Sequence, residues 1–126
     1  MAVRFFKPTL STFVKGQEVL AESVNSVEGG VMNGLVTIKV LMASQTMVML
    51  ESYREQGVID PWHKHDDHET VCHMVSGLLR VEIGEASFLA KPGDTWFHPK
   101  GVMHRTEALE ASTQIEVKVP PCKTWN

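Results

Sequence analysis

Cysteine is scarce in this chain of 126 residues, and so are long apolar segments. The two cysteines, Cys72 and Cys122, have no repeated spacing and are too few for a disulfide framework, so we interpret both as reduced thiols. No segment reaches the roughly 18 apolar residues of a membrane span, and the N-terminus has no apolar stretch of signal-peptide length. These absences predict a cytoplasmic protein with no membrane partner.

An excess of positive charge is also missing. Twelve Lys and Arg residues stand against 15 Asp and Glu residues, the formal net charge is −3, and the basic residues are scattered along the chain. Proteins that bind nucleic acid usually gather basic residues on one surface, so we expect no nucleic-acid partner. The length is that of one domain, and we expect a single domain over residues 1–126.

Helix-period patterns are scarce, and short apolar runs rich in β-branched residues take their place from residue 35 onward. Clusters of Gly, Asn and Pro separate these runs, as turns do. The pattern predicts an all-β domain with few or no helices and about eight strands, which is typical of a β-sandwich or a small β-barrel. We expect strands at 35–43, 46–52, 70–75, 78–83, 95–98 and 113–119, with weaker ones near Phe5 and Val19.

Histidine has an uneven distribution along the sequence. In an extended strand alternate side chains share a face, so His63 and His65 point the same way and can bind one cation. Metal sites rich in imidazole normally have a third protein ligand. Our candidate is His104, which follows the turn at 99–101. Four of the six histidines lie within eleven residues: His63, His65, His68 and His73.

Two segments around these histidines resemble the two motifs of the cupin family. They are GVIDPWHKHDDHETVCHMVSG over 57–77 and GDTWFHPKGVMH over 93–104, and 15 residues separate them, as in small single-domain cupins of the RmlC-like superfamily. The resemblance implies a small β-barrel with jelly-roll topology, a double-stranded β-helix. It also implies one divalent metal ion per chain, such as Fe, Zn, Mn or Ni, on His63, His65 and His104.

One position departs from the family pattern. Cupins usually have Glu, Gln or His separated by six residues from the Gly that closes the first motif, whereas this chain has Thr70 there. Glu69 lies one residue early, and in a regular strand it faces the opposite way. Either a β-bulge near Asp67 turns Glu69 or His68 toward the metal, or three histidines form the site alone. We expect the three-histidine site.

Three neutral imidazoles leave the charge of a divalent ion uncompensated, so we expect a small anionic, chelating substrate such as a hydroxy acid, a keto acid, an enolate or a catechol-like compound. His98 is a candidate proton carrier and Glu69 a candidate general base. Members of the family include dioxygenases, isomerases, lyases and cyclases, and the sequence does not select among them. The alternative is a non-catalytic cupin that binds a small molecule or a metal.

Several further expectations concern single residues. His73 is expected to point away from the site, Cys72 to face inward as a buried thiol, and Trp62 and Trp96 either to pack or to line a substrate pocket. Small cupins commonly pair through their sheets, so the resemblance also implies a homodimer. The short apolar runs within 1–34 are candidate strands for exchange between the two copies.

Overall fold

β-strands form nearly all of the regular structure in this computed structural model, which describes residues 4–126. Within that range the one helical element is a 3-10 turn, Gly16–Glu18, and no helix is long and apolar enough to cross a membrane. The strands are β1 Glu22–Ser23, β2 Ser26–Val27, β3 Gly30–Val31, β4 Val36–Ala43, β5 Val48–Arg54, β6 Glu69–Ser76, β7 Leu79–Ile83, β8 Ala86–Ala90, β9 Thr95–His98, β10 His104–Ala108 and β11 Ser112–Val119.

The strands assemble into three antiparallel sheets. The largest has six strands in the order β1-β4-β5-β11-β6-β9, the second has three in the order β10-β7-β8, and β2 and β3 form a small hairpin. Neighbours such as β11 and β6 are distant in sequence, which is a feature of jelly-roll topology rather than of a simple meander. The all-β jelly roll predicted from the sequence is confirmed.

The six main strands predicted from the sequence are all present, and their observed bounds differ from the predicted ones by at most two residues. Val19 is not in a strand but directly follows the 3-10 turn, and the nearest strand is β1 at Glu22–Ser23. The strand expected near Phe5 is reduced to a single bridge with Cys122. Five strands were not predicted: the two-residue strands β1, β2 and β3, and the longer strands β8 and β10. In β10 the inward residues His104, Thr106 and Ala108 are polar or small, so the apolar alternation that marks a strand is missing.

Two apolar clusters hold the barrel together. The first, which we call the terminal core, joins β4 and β5 to the chain ends through Val36, Val48, Leu50 and Trp125. The second, which we call the sheet core, lies between the two larger sheets. Its buried members are Cys72, Met74, Leu79, Val81, Ala90, Trp96 and Ala108. Burial of these side chains supplies the main favourable term for folding.

Strand β11 reverses the usual alternation of a half-buried strand. Its apolar residues Ile115, Val117 and Val119 occupy the outer face, and Val119 is 43% exposed. Its inward side chains are polar throughout: Ser112, Gln114, Glu116 and Lys118. Three of these, all except Ser112, line an internal cavity. The fold therefore carries a polar lining on a central strand of its largest sheet, where an apolar core is the ordinary expectation.

Candidate metal centre

Two of the three candidate ligands face each other across an antiparallel bridge. The backbone N–H of His63 donates to the carbonyl of His104 at 3.1 Å, and the N–H of His104 donates to the carbonyl of His63 at 2.8 Å. Directly opposed residues have neighbouring side chains, and the two ring centroids are 4.3 Å apart. The bridge therefore places His104 beside His63, although 41 positions separate them in the sequence.

His65 completes the group. Its ring centroid lies 5.0 Å from that of His63 and 5.0 Å from that of His104. All three side chains are buried, and one ring nitrogen from each lies within 4.8 Å of the others. This spacing can hold a divalent metal ion, because nitrogens that each bind one ion at about 2.1 Å lie roughly 3 to 4 Å apart once they close around it. The structure thus brings together the three histidines that the sequence singled out.

Backbone carbonyls fix the orientation of two of these rings. His63 Nδ1 lies 2.6 Å from the carbonyl of Pro61, and His104 Nδ1 lies 3.2 Å from the carbonyl of Val102. A carbonyl only accepts hydrogen bonds, so the proton of each neutral ring is on Nδ1. The lone pair is then on Nε2, which is the form that binds a metal.

A carboxylate orients the third ring. His65 Nδ1 lies 3.2 Å from Glu28 Oε2. Arg4 holds that carboxylate in turn, because its guanidinium donates to both oxygens of Glu28 and also to both oxygens of Asp67. Such partners behind a metal-binding histidine fix its tautomer and increase its basicity. Glu28 and Arg4 were not predicted from the sequence, because the Gly pair after Glu28 indicates only a turn.

Burial keeps the imidazoles of His65 and His104 in their neutral form. It lowers the pKa of His104 to about 3, with the neighbouring His63 and Lys118 acting in the same direction. Burial also lowers the pKa of His65 far below its ordinary value, aided by the charge of Lys118. Near neutral pH these rings carry no proton that a metal ion would have to displace.

His98 lies next to this group, with its ring centroid 4.2 Å from that of His104. Trp96 Nε1 donates a hydrogen bond to His98 Nε2 at 3.1 Å, so the proton of the neutral ring is on Nδ1. Burial lowers the pKa of His98 to about 2. Its Nδ1 is buried and has no hydrogen-bond partner among the described residues. The Nδ1–H of the neutral ring is therefore a donor that has no partner among residues 4–126.

The histidines line a cavity of about 40 Å³ that also contains charged side chains. Arg54 forms two hydrogen bonds to the carboxylate of Asp60, at 3.2 and 3.0 Å. Lys118 Nζ lies 3.6 Å from Glu116 Oε1. Burial alone would raise the pKa of Glu116, but the positive charges of Lys118 and Arg54 hold it below its ordinary value. Each buried charge thus has an opposite partner. None of these four residues was predicted from the sequence, although the reversed alternation of β11 is a signal for Glu116 and Lys118.

Glu69 is not brought to the cavity. It begins β6 on the exposed face, and the register of β6 with β11 is regular from Glu69 to Met74, so no bulge in this part of the strand turns its side chain inward. Thr70 faces the cavity instead and is 2% exposed. The expectation of a general base at Glu69 therefore needs a correction, because strand alternation directs its carboxylate outward.

The remaining candidate residues divide between the core, the surface and a groove beside the cavity. Cys72 and Trp96 belong to the sheet core, and His73 lies on the exposed face of β6, away from the cavity as expected. Trp62 lines a groove that shares His63 with the cavity. His68 is buried outside the cavity lining, with Nδ1 2.8 Å from Asp67 Oδ1.

A second group of possible metal ligands, Asp67, His68 and Cys122, has atoms within 4.8 Å of one another. The charge and protonation of this group make it less suited to a cation. The guanidinium of Arg4 already lies on the Asp67 carboxylate. Burial raises the pKa of Cys122 to about 11, so its sulfur is protonated near neutral pH.

The family model described as "Cupin domain" matches residues 49–117, which is more than half of the chain. The chain belongs to the cupin family. Among curated proteins it is 29% identical over 77 residues to the pectin degradation protein KdgF of Dickeya dadantii (strain 3937), an alignment that covers 61% of this chain and 70% of that protein. The cupin membership expected from the two sequence motifs is confirmed.

Solved structures share the fold of this cupin. An RmlC-like cupin from Shewanella frigidimarina NCIMB 400 superposes with a TM-score of 0.75 at 18% identity, and covers 87% of this chain and 91% of its own. KdgF from Halomonas sp. superposes with a TM-score of 0.73 at 24% identity, and covers 86% of this chain and 94% of its own. At these identities the likeness shows the fold alone.

Proposed function

We propose that this cupin binds one divalent metal ion on His63, His65 and His104 and acts on a small organic anion as a metal-dependent enzyme. The observation that carries the proposal is the convergence of three buried imidazoles whose Nδ1 atoms are already engaged. Imidazole suits Zn, Fe and Ni, and three protein ligands leave coordination positions free for a substrate.

The charge balance of the site favours an anion. The charges cancel within each of the two buried ion pairs, Arg54 with Asp60 and Lys118 with Glu116. Burial also keeps the imidazoles of His65 and His104 neutral by lowering their pKa. A bound divalent ion would add two uncompensated positive charges. The likeness to a pectin degradation protein supports a carboxylate substrate, since pectin is a polymer of sugar acids.

Two neighbouring spaces of different size are available to a substrate. The cavity, at about 40 Å³, has room for a few small polar groups, because a single water needs at least about 10 Å³. A neighbouring groove of about 760 Å³ shares His63 with the cavity. We propose that the anionic group enters the cavity and that the rest of the substrate lies in the groove, against Trp62, Lys64 and Met103.

The chain's own residues then have distinct roles. A bound ion would supply Lewis-acid polarisation of a substrate oxygen. His98 stays in the proposal as a hydrogen-bond donor beside His104, because its Nε2 is occupied by Trp96. Glu69 does not stay in the proposal, since its carboxylate faces away from the cavity.

We also propose that residues 1–126 form one domain and that the cupin is a homodimer. The outer face of the largest sheet carries a row of apolar strand partners, Met49, Val117, Val71 and Phe97. Phe97 and Val71 are each 47% exposed, and apolar side chains grouped in this way mark interaction surfaces. Exchange of strands from 1–34 stays a prediction, and β1 pairs with β4 of its own chain here.

Elemental analysis of the purified protein tests the metal centre. We expect about one metal ion per chain in the wild type and loss of the metal in His63→Ala, His65→Ala and His104→Ala. His73→Ala is the matched control, because His73 is exposed on the outer face of β6. Retention of one ion per chain in all three ligand variants would show that the ligand set is wrong.

A further inference from the structure

A buried lysine faces the same cavity as the three histidines. Lys118 is 3% exposed and lines the cavity. It is the strand partner of Thr70 on β6, which is in turn the partner of His98 on β9. All three side chains point inward, so they form one row across the sheet, and His98 connects that row to His104. The ammonium group is therefore part of the wall beside the candidate metal ligands.

The ammonium group of Lys118 has spare hydrogen-bond donors. It carries three N–H groups. Among residues 4–126, Nζ donates to Thr70 Oγ1 at 3.1 Å, while Glu116 Oε1 lies at 3.6 Å, beyond ordinary hydrogen-bond length. Arg54, by contrast, is engaged with both carboxylate oxygens of Asp60. Buried polar groups are normally satisfied, so an oxygen from a ligand would complete the environment of Lys118.

We propose that Lys118 recognises the anionic group of the ligand, by donating hydrogen bonds to a carboxylate that also faces the three histidines. This inference rests on the metal centre proposed above and adds the chemical class of the group bound there. The small cavity admits a carboxylate, or a carboxylate with one neighbouring oxygen. The ligand class is therefore the α-hydroxy and α-keto carboxylates, which can chelate a metal ion through two oxygens.

The other charges around Lys118 define when it can act. Glu116 cancels its charge, and Arg54 and Asp60 cancel each other. Without a metal ion, the cavity therefore has hydrogen-bond donors for an anion but no net positive charge. We expect the metal-free protein to bind anions weakly. With a divalent ion bound, the anion gains both the charge of the ion and the directed donors of Lys118.

Two probes test the inference without knowledge of the natural substrate. Cobalt(II) is the metal probe, because its visible absorption responds to its ligands, and glycolate is the anion probe. In Lys118→Met the side chain stays unbranched and only one atom shorter, but loses its charge and its donors. We expect the dissociation constant of glycolate for the cobalt-loaded protein to rise at least tenfold. Cobalt itself should bind equally well or more tightly, because a nearby positive charge has been removed.

Control variants separate this role from simple structural damage. Lys91→Met removes an exposed lysine from a turn outside the cavity and should bind both probes as the wild type does. Lys118→Met leaves Glu116 without its partner, so the double variant Lys118→Met/Glu116→Gln restores a neutral pair. It should bind cobalt and still lose glycolate affinity.

The outcomes distinguish this inference from the proposal on which it rests. Wild-type glycolate affinity in either cobalt-loaded Lys118 variant would overturn the role of Lys118 and leave the metal centre intact. Failure of the cobalt-loaded wild type to bind glycolate would overturn it as well. If the wild-type chain does not bind cobalt, the metal centre itself is rejected, and the role of Lys118 falls with it.

Discussion

The cavity and the sheet core share strands and inner faces, yet they have opposite chemistry. On β6 the cavity residue Thr70 is followed, on the same face, by Cys72 and Met74 of the sheet core. On β9 the cavity residue His98 is two positions from Trp96, which packs in that core. The change from polar to apolar thus occurs within one step of strand alternation. Stability therefore depends on the apolar residues and chemistry on the polar ones, although both groups belong to the same strands. Burial of polar groups costs free energy, and the burial of apolar side chains must offset that cost.

Acidification should act through the cavity histidines, and its expected effect on the free energy of unfolding is the largest of those considered. The folded protein keeps His65, His98 and His104 neutral, whereas the unfolded chain takes up protons near pH 6.5. The unfolded state therefore binds more protons as the pH falls below 6.5, and the free energy of unfolding of the metal-free protein must fall. Between pH 7 and pH 5 the loss should be about 2 kcal/mol for each of these histidines.

Denaturant unfolding of the metal-free protein at a series of pH values measures this loss. His98→Gln should make the pH dependence shallower, since one of the protons is then absent and the amide still accepts from Trp96. His73→Ala, on the outer face, should leave the contribution of the cavity histidines in place. A free energy of unfolding that is constant from pH 7 to pH 5 would contradict the neutral histidine cluster.

Truncation in the sheet core should lower stability without changing the site. Leu79 is fully buried there, so Leu79→Ala should lower the free energy of unfolding by about 2 to 5 kcal/mol. Leu89→Ala, on the exposed face of β8, should change it by less than about 0.5 kcal/mol. Folded Leu79→Ala should still bind one metal ion per chain. A loss of metal affinity in this variant would show that core and cavity are coupled.

Loss of the carboxylate behind His65 should weaken metal binding while the fold persists. In Glu28→Gln the partner of His65 loses its charge and its ion pair with Arg4. We expect the metal dissociation constant to rise about 10- to 100-fold, as for other groups that orient a ligand histidine. Isothermal titration with Zn²⁺ measures the change, and Glu85→Gln, in an exposed turn, is the control. Equal affinity in both variants would exclude a role for Glu28.

A charge on the outer sheet face should change assembly and have the smallest effect on the fold. Phe97→Lys places an ammonium group in the apolar row and should shift the mass in solution from dimer to monomer. Size-exclusion chromatography with light scattering measures it. Leu89→Lys makes the same kind of change on the other sheet, at 49% exposure, and should stay dimeric. A wild-type protein that is monomeric at high concentration would reject the homodimer.

Much of the strand framework and the three histidines could be predicted because both depend on local patterns. Apolar runs and turn residues define most strands, and alternate positions place His63 and His65 on one face. The partners of those histidines could not be predicted in this way. Glu28 reaches His65 across 37 positions, and Lys118 reaches Thr70 across 48. Such contacts follow from sheet register and long-range packing, which a single sequence does not display.

The sequence by itself determined that this is an all-β chain with two histidine-bearing segments, since strand periodicity and turn chemistry are properties of neighbouring residues. The tertiary structure alone decided which side chains surround those histidines. It directed Glu69 outward and Thr70 inward, and it placed the charges of β11 inside the barrel. The reason is physical: a residue's environment depends on which distant strands pair with its own, and pairing is settled only when the whole sheet closes.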